Sequence, residues 1–78
     1  MGIPKEIEIN DGYNGKQKYY YWSEYKTFAE AIYYAKKIKL DRKMEGIKIK
    51  YFVLESQEGW FLPIPKFVLY LNKNLRII

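Results

Sequence analysis

The basic residues between positions 36 and 50 are the side chains in this sequence best suited to binding chemistry. Seven basic and two acidic residues give that segment a charge of +5, which equals the net charge of the 78-residue chain. A local excess of positive charge attracts polyanions, because each phosphate contact releases condensed counterions. The sequence therefore predicts a nucleic-acid site formed by Lys36, Lys37, Lys39, Arg42, Lys43, Lys48 and Lys50.

The same basic segment has an ordinary structural interpretation. Basic residues near the end of a helix favour its macrodipole, and lysines on an edge strand prevent edge-to-edge pairing. Lysine is also a common solvated surface residue. Charge placement alone leaves both interpretations open.

Tyrosine is the second unusual feature, with nine residues in the chain. Tyr19 and Tyr21 alternate with Tyr20 and Trp22 along a predicted strand, so the two pairs point to opposite faces of the sheet. A single helix covers one face, and we expect one pair to be exposed or buried in a partner. Exposed rings stack on bases, form the centre of a homodimer or other protein interface, or cap a small core with the hydroxyl in water. The candidate stacking rings are Tyr19, Tyr21 and, on the outer helix face, Tyr33.

Several catalytic chemistries are excluded by composition. The chain has no Cys and no His, which removes disulfides, thiolate or imidazole metal ligands and the usual base for activating serine. Glu6 and Glu8 share one strand face, where we expect solvated carboxylates. We therefore expect no enzyme activity, no cofactor and no metal site.

The first half of the chain predicts a hairpin followed by a helix. Alternating residues over 5–10 predict a strand, the glycines at 12 and 15 favour a turn, and residues 16–24 predict a second strand. Thr27 and Glu30 form a capping-box pattern. The helix that follows carries an apolar stripe, and Gly46 suits the position just after its end. The stripe consists of Phe28, Ala31, Ile32, Ala35 and Ile38.

The second half predicts further strands. Residues 47–55 predict a third strand, 56–59 a turn and 60–62 a fourth strand, with Pro63 and Pro65 placing this stretch at an edge or a bulge. Residues 67–71 suit a further strand or a short helix, and their composition favours the strand. The prediction is one α+β domain over residues 1–78, ordered β-β-α-β-β with one further C-terminal strand as an option, and with the amphipathic helix on one face of an antiparallel sheet.

The cellular location is predicted from the absence of membrane-spanning and signal segments in the sequence. It has no run of about 18 apolar residues and no apolar signal region near Met1, so we expect a cytoplasmic protein without a membrane partner. Its twelve lysines and ten isoleucines fit either a thermophilic source or an AT-rich genome.

The strand-to-helix junction over residues 21–31 resembles that of small sheet-plus-helix DNA-binding domains of the AP2 and integrase-arm types. Such a resemblance implies a DNA-reading sheet, on which this chain would offer Tyr19, Tyr21, Lys16 and Lys18. The two strands beyond the helix fit neither family, so no functional residue is carried over. The sequence favours a non-enzymatic module that binds DNA or RNA, and the alternative is a homodimeric or protein-interaction domain that uses its aromatic sheet face.

Overall fold

Four antiparallel strands and one helix make up the described part of the chain. The structure is a computed structural model that describes residues 3–10, 12–58, 61 and 64–75. Its elements are β1 (Glu6–Asn10), a 3₁₀ turn (Gly12–Asn14), β2 (Lys16–Tyr25), α1 (Phe28–Met44), β3 (Tyr51–Glu58) and β4 (Ile64–Leu71). The strands lie in the order β1-β2-β4-β3. The predicted α+β architecture with one helix on an antiparallel sheet is confirmed.

The predicted hairpin joins β1 to β2. Ile7 pairs with Tyr19 in its register, and the Lys18 ammonium lies 3.4 Å from the Glu6 carboxylate. Gly12 and Gly15 have φ values of 55° and 71°, which residues with a Cβ rarely adopt. The glycines therefore supply the turn conformation that the sequence indicated.

Helix α1 begins and ends where its signals place it. The Glu30 amide donates to the Thr27 hydroxyl at 3.1 Å, which satisfies one of the unpaired N–H groups of the first turn. Ala31 and Ala35 are fully buried and let the helix lie close to the sheet. Phe28, predicted for the buried stripe, is 55% exposed, because it lies at the helix start with its ring edge-on to Phe67.

The second half differs from the prediction in its strand boundaries. The third strand begins at Tyr51 rather than at residue 47, and it continues through the predicted turn to Glu58. Of the predicted fourth strand at 60–62, residues 60 and 62 lie outside the described residues and Phe61 lies in a bend. Residues 67–71 are strand, as preferred, and belong to β4 itself.

Pro65 lies in the part of β4 that extends beyond the end of β2. Pairing between β2 and β4 stops at Tyr25 and Phe67, whereas β4 and β3 remain paired down to Ile64 and Glu58. At Pro65 only β3 lies beside β4, so the missing N–H of proline costs no bond on the open side. The predicted interruption of pairing is wrong for Pro65, which stays in register with Gln57 although β2 does not extend beside it, and Pro63 lies outside the described residues.

Strand β4 lies at the centre of the sheet and carries core residues on both of its faces. Leu69 and Leu71 pack with Ala35 and Ile49 under the helix. Val68 and Tyr70 pack with Tyr19 on the opposite face. The one helix therefore covers only one of the two small cores.

The second core is closed by curvature of the sheet. The rings of Tyr19 and Phe52 lie 6.5 Å apart although β4 separates their strands, whereas second-neighbour strands in a flat sheet are roughly 9.5 Å apart. Ile3 and Ile7 pack against the same cluster. The expectation of an exposed aromatic pair on β2 is thus wrong: Tyr19 is 4% exposed, and the other three rings are half-buried.

A buried hydroxyl ties the N-terminal segment to this second core. The Tyr70 hydroxyl donates to the Pro4 carbonyl oxygen at 2.9 Å. Burial raises the pKa of Tyr70, and Tyr21 and then Glu24 raise it further. In the part of the chain that the structure describes, no helix has the length and apolar character to cross a membrane.

Candidate functional site

A basic groove lies between the end of the helix and the segment that leads into β3. It has a volume of about 300 Å³. Its lining residues, which define the lysine groove, are Lys39, Lys43, Lys48 and Lys50 with Ile47 and Ile49. Among the described residues, no carboxylate lines it. The fold thus concentrates part of the basic segment around one concavity.

The helical wall of the lysine groove follows from residue spacing. Lys39 and Lys43 are four residues apart, so they lie one above the other on the same side of α1. Both side chains are exposed. Because both are ammonium groups, they repel each other slightly until an anion lies between or above them.

The chain turns back along the helix at Gly46. Its φ of 82° is the left-handed conformation common just after a helix end. The Gly46 amide donates to the Lys43 carbonyl at 2.9 Å, and the Ile47 amide donates to the Arg42 carbonyl at 2.9 Å. This turn brings residues 47–50 beside the last turns of α1 and so forms the second wall.

The second wall is an extended segment with alternating side chains. Ile49 is 2% exposed and Ile47 is half-buried, whereas Lys48 and Lys50 are exposed. Asn72 fixes the segment to the end of β4, since its side-chain oxygen accepts from the Lys50 amide at 2.9 Å and its own amide donates to the Lys50 carbonyl at 3.0 Å. The wall therefore presents lysines above an apolar floor.

The two acids of the basic segment do not line the groove. Glu45 accepts from the Arg42 guanidinium at 2.8 Å, an ion pair between residues three apart. Asp41 is exposed and, at about 100° per residue, lies roughly 160° around the helix from Lys43. The groove therefore keeps its positive charge.

The other predicted phosphate-binding residues lie outside the groove. Arg42 is half-buried, and its guanidinium is engaged by Glu45. Lys36 and Lys37 are exposed on the outer surface of α1, with Lys36 on the flank that carries Lys39 and Lys43. The structure thus brings together four of the seven predicted basic residues.

The predicted stacking rings differ in how accessible they are. Tyr19 is buried at 4% exposure, and Tyr33 is 62% exposed. Tyr21 is half-buried with its ring edge-on to Tyr70, the centroids 6.3 Å apart. Of the three, Tyr33 alone presents most of its ring to a ligand.

Other depressions in the described part of the surface mix charges. One is lined by Lys26 and Lys66 together with Glu24 and Glu30, and another pairs Lys5 with Glu6. Their acids would repel phosphate, so these depressions suit an anionic ligand less well than the lysine groove does.

Sequence reasoning missed two parts of the groove. The Ile-Lys-Ile-Lys alternation at 47–50 predicts the start of a strand, whereas in the structure the same alternation gives an apolar floor with lysines above it. The anchoring by Asn72 depends on a contact 22 residues away and has no local signal.

Comparisons with protein-family models, with curated proteins and with solved structures gave no match.

Proposed function

We propose that this protein is a non-enzymatic module that binds nucleic acid in the lysine groove. The observation that supports the proposal is the convergence of four lysines from two segments on one concavity that, among the described residues, has no carboxylate in its lining. Lysine ammonium groups each carry three donors and no acceptor, which suits the oxygens of a phosphodiester backbone. Because several contacts release counterions together, their sum gives useful affinity where a single exposed contact would not.

The floor of the groove supports the same ligand. Ile47, which is half-buried, offers an apolar surface between the lysines, whereas Ile49 is almost fully buried. Sugar carbons can lie on Ile47 while the phosphates face the ammonium groups. The lining contains ammonium and aliphatic groups and does not pair a nucleophile with a base. For this reason we propose binding rather than catalysis.

The proposal is tested by fluorescence anisotropy with labelled single-stranded DNA, duplex DNA and RNA at about 50 mM salt, where phosphate contacts are strong. The variant Lys39→Glu/Lys43→Glu reverses the helical wall, and we expect it to lose about tenfold or more in affinity. The matched control is Lys5→Glu/Lys16→Glu, which makes the same change in net charge on the hairpin side of the sheet. Equal losses in both variants, or no binding by the unmodified protein, would contradict the proposal.

A second candidate function is interaction with a protein, including a second copy of the chain. The observation that favours it is exposed apolar surface on the outer side of the helix, where Leu40 is 59% and Met44 is 80% exposed. The aromatic sheet face supports it less, since Tyr19 is buried by the chain itself. Light scattering across a concentration series tests the homodimer, and a constant monomer mass would argue against it.

A further inference from the structure

The outer helix surface carries a row of ligand-suited side chains that continues from the lysine groove. At about 100° per residue, Lys36, Lys39 and Lys43 fall within an arc of roughly 60°. Tyr33 lies three residues before Lys36, on the adjacent part of the same surface. From Tyr33 to Lys43 the row is about 15 Å long at the rise of an α-helix.

Helix acids lie on the other flank. Glu30 and Asp41 are separated by about 20° around the axis and lie roughly 120° or more from the lysine row. A polyanion that follows the three lysines therefore passes along one sign of charge, and it reaches the neighbourhood of Glu30 only at Tyr33, which lies three residues after that acid.

The shape of the groove favours a single strand over a duplex. Its volume of about 300 Å³ is at the lower end of small-ligand pockets, which suits one nucleotide unit at a time. A duplex presents its phosphates on a convex surface, and its two strands border a major groove about 12 Å wide. Such a surface fits a small concavity less closely than a flexible single strand does.

Tyr33 is held in place as a stacking surface at the far end of the row. Its ring lies edge-on to Tyr34, with centroids 5.1 Å apart and an interplanar angle of 83°. Tyr34 in turn stacks on Tyr25 at 5.1 Å and 11°. These contacts orient Tyr33 while most of its ring stays exposed, at 62%, so a base can stack on it with little loss of side-chain entropy.

We propose that the ligand is a single-stranded nucleic acid, with phosphates along Lys43, Lys39 and Lys36 and a base stacked on Tyr33. This inference rests on the proposed function and specifies its ligand. Stacking on an aromatic side chain tolerates any base, because every base has a π face. The site therefore binds single strands with little sequence preference.

The test compares three labelled ligands of about ten nucleotides, within the range that small single-strand binders cover. They are an oligothymidylate, an abasic strand with the same phosphates, and a duplex. The variants are Tyr33→Ala and Tyr33→Phe, with Tyr13→Ala as the matched control, since Tyr13 is fully exposed in the hairpin turn. Circular dichroism melting checks that each variant folds.

We expect Tyr33→Ala to weaken oligothymidylate binding about fivefold to 150-fold. Binding of the abasic strand should change less than about twofold, because it offers no base to stack. Tyr33→Phe and Tyr13→Ala should bind like the unmodified protein, and the duplex should bind more weakly than the single strand.

Three results distinguish the failure of this inference from failure of the proposed function. If Lys39→Glu/Lys43→Glu weakens binding but Tyr33→Ala does not, or weakens oligothymidylate and abasic strand equally, the stacking inference is wrong and the groove remains a phosphate site. If the duplex binds more tightly than the single strand, the single-strand inference is also overturned. If the lysine variant has no effect on any ligand, both proposals fail.

Discussion

Neutralising two lysines of the groove should change the salt dependence of binding by a calculable amount. The perturbation is Lys39→Gln/Lys43→Gln, which removes two charges and keeps side chains of moderate length. Both residues are exposed, so the substitutions leave the buried core unchanged. The quantity measured is the slope of log K against log salt concentration.

The expected magnitude follows from the number of lysines in the groove. Four phosphate contacts to a single strand give a slope of about −2.8, and removing two of them gives about −1.4. Raising salt from about 50 to 200 mM then weakens binding about 50-fold in the unmodified protein but only about sevenfold in the variant. Any further contact, such as Lys36, adds equally to both slopes and leaves their difference at about 1.4.

Anisotropy titrations at four or five salt concentrations measure both slopes. A slope is a better test than a single affinity, because partial unfolding lowers the affinity at every salt concentration without changing the number of ions released. Lys5→Gln/Lys16→Gln is the matched control and should keep the slope of the unmodified protein. An unchanged slope in the groove variant, or an equal change in the control, would refute the assignment of phosphates to the groove.

Three predictions concern stability and are measured by urea unfolding. Thr27→Ala removes the acceptor of the Glu30 amide and should cost about 1 kcal/mol, whereas Thr27→Ser should cost little; equal costs would contradict capping by the hydroxyl. Tyr70→Phe loses the bond to Pro4 and should cost about 1 kcal/mol near neutral pH. Folding raises the pKa of Tyr70, so the folded state favours the neutral phenol. The resulting stabilisation is complete below about pH 10, the ordinary pKa of tyrosine, and is lost as the pH rises through the higher pKa of the folded state. The free energy of unfolding should therefore fall less at alkaline pH in the Tyr70→Phe variant than in the unmodified protein. Parallel curves of that free energy against pH would contradict this expectation. Ile49→Ala opens space in the core under the helix and should cost about 2–5 kcal/mol, and a cost below about 1 kcal/mol would show that Ile49 is not a core residue.

Local signals predicted the elements that depend on neighbouring residues. The hairpin follows from glycines that adopt positive φ, and the helix follows from the Thr27 cap and from Gly46 beyond its end. These features act within three or four residues, so a single sequence contains them. The strand preference at 67–71 was correct for the same reason, because its residues favour a pleated surface.

Long-range pairing set the features that the sequence did not predict. The position of β4 between β2 and β3 depends on contacts between distant residues, and that position makes Tyr70 and Leu69 central rather than peripheral. Curvature then buries Tyr19 against Phe52. A rule that one helix covers one face treats the sheet as flat, and this sheet closes its second face by bending.

The candidate site likewise combines features that local sequence predicts with features that depend on long-range contacts. Charge placement along the chain identified the basic segment, but the selection of four groove lysines needed the reversal at Gly46 and the anchoring of Lys50 by Asn72. Glu45, three residues after Arg42, is a local signal for the ion pair that sets Arg42 apart from the groove lysines. Tyr33 could be placed on the outer helix face from periodicity alone, whereas its support by Tyr34 and Tyr25 required the strand that precedes the helix.

Binding and folding are separable at most positions of this groove, and this makes the proposals testable. The lysines are exposed and contribute little to the core, so their substitution should change affinity without changing the urea midpoint. The floor is different, because Ile49 belongs both to the groove and to the core under the helix. A variant of Ile49 would weaken binding through unfolding, and the salt slope of its folded fraction should still equal that of the unmodified protein. If the slope changed with Ile49 as it does with the lysines, the floor itself would position the phosphates.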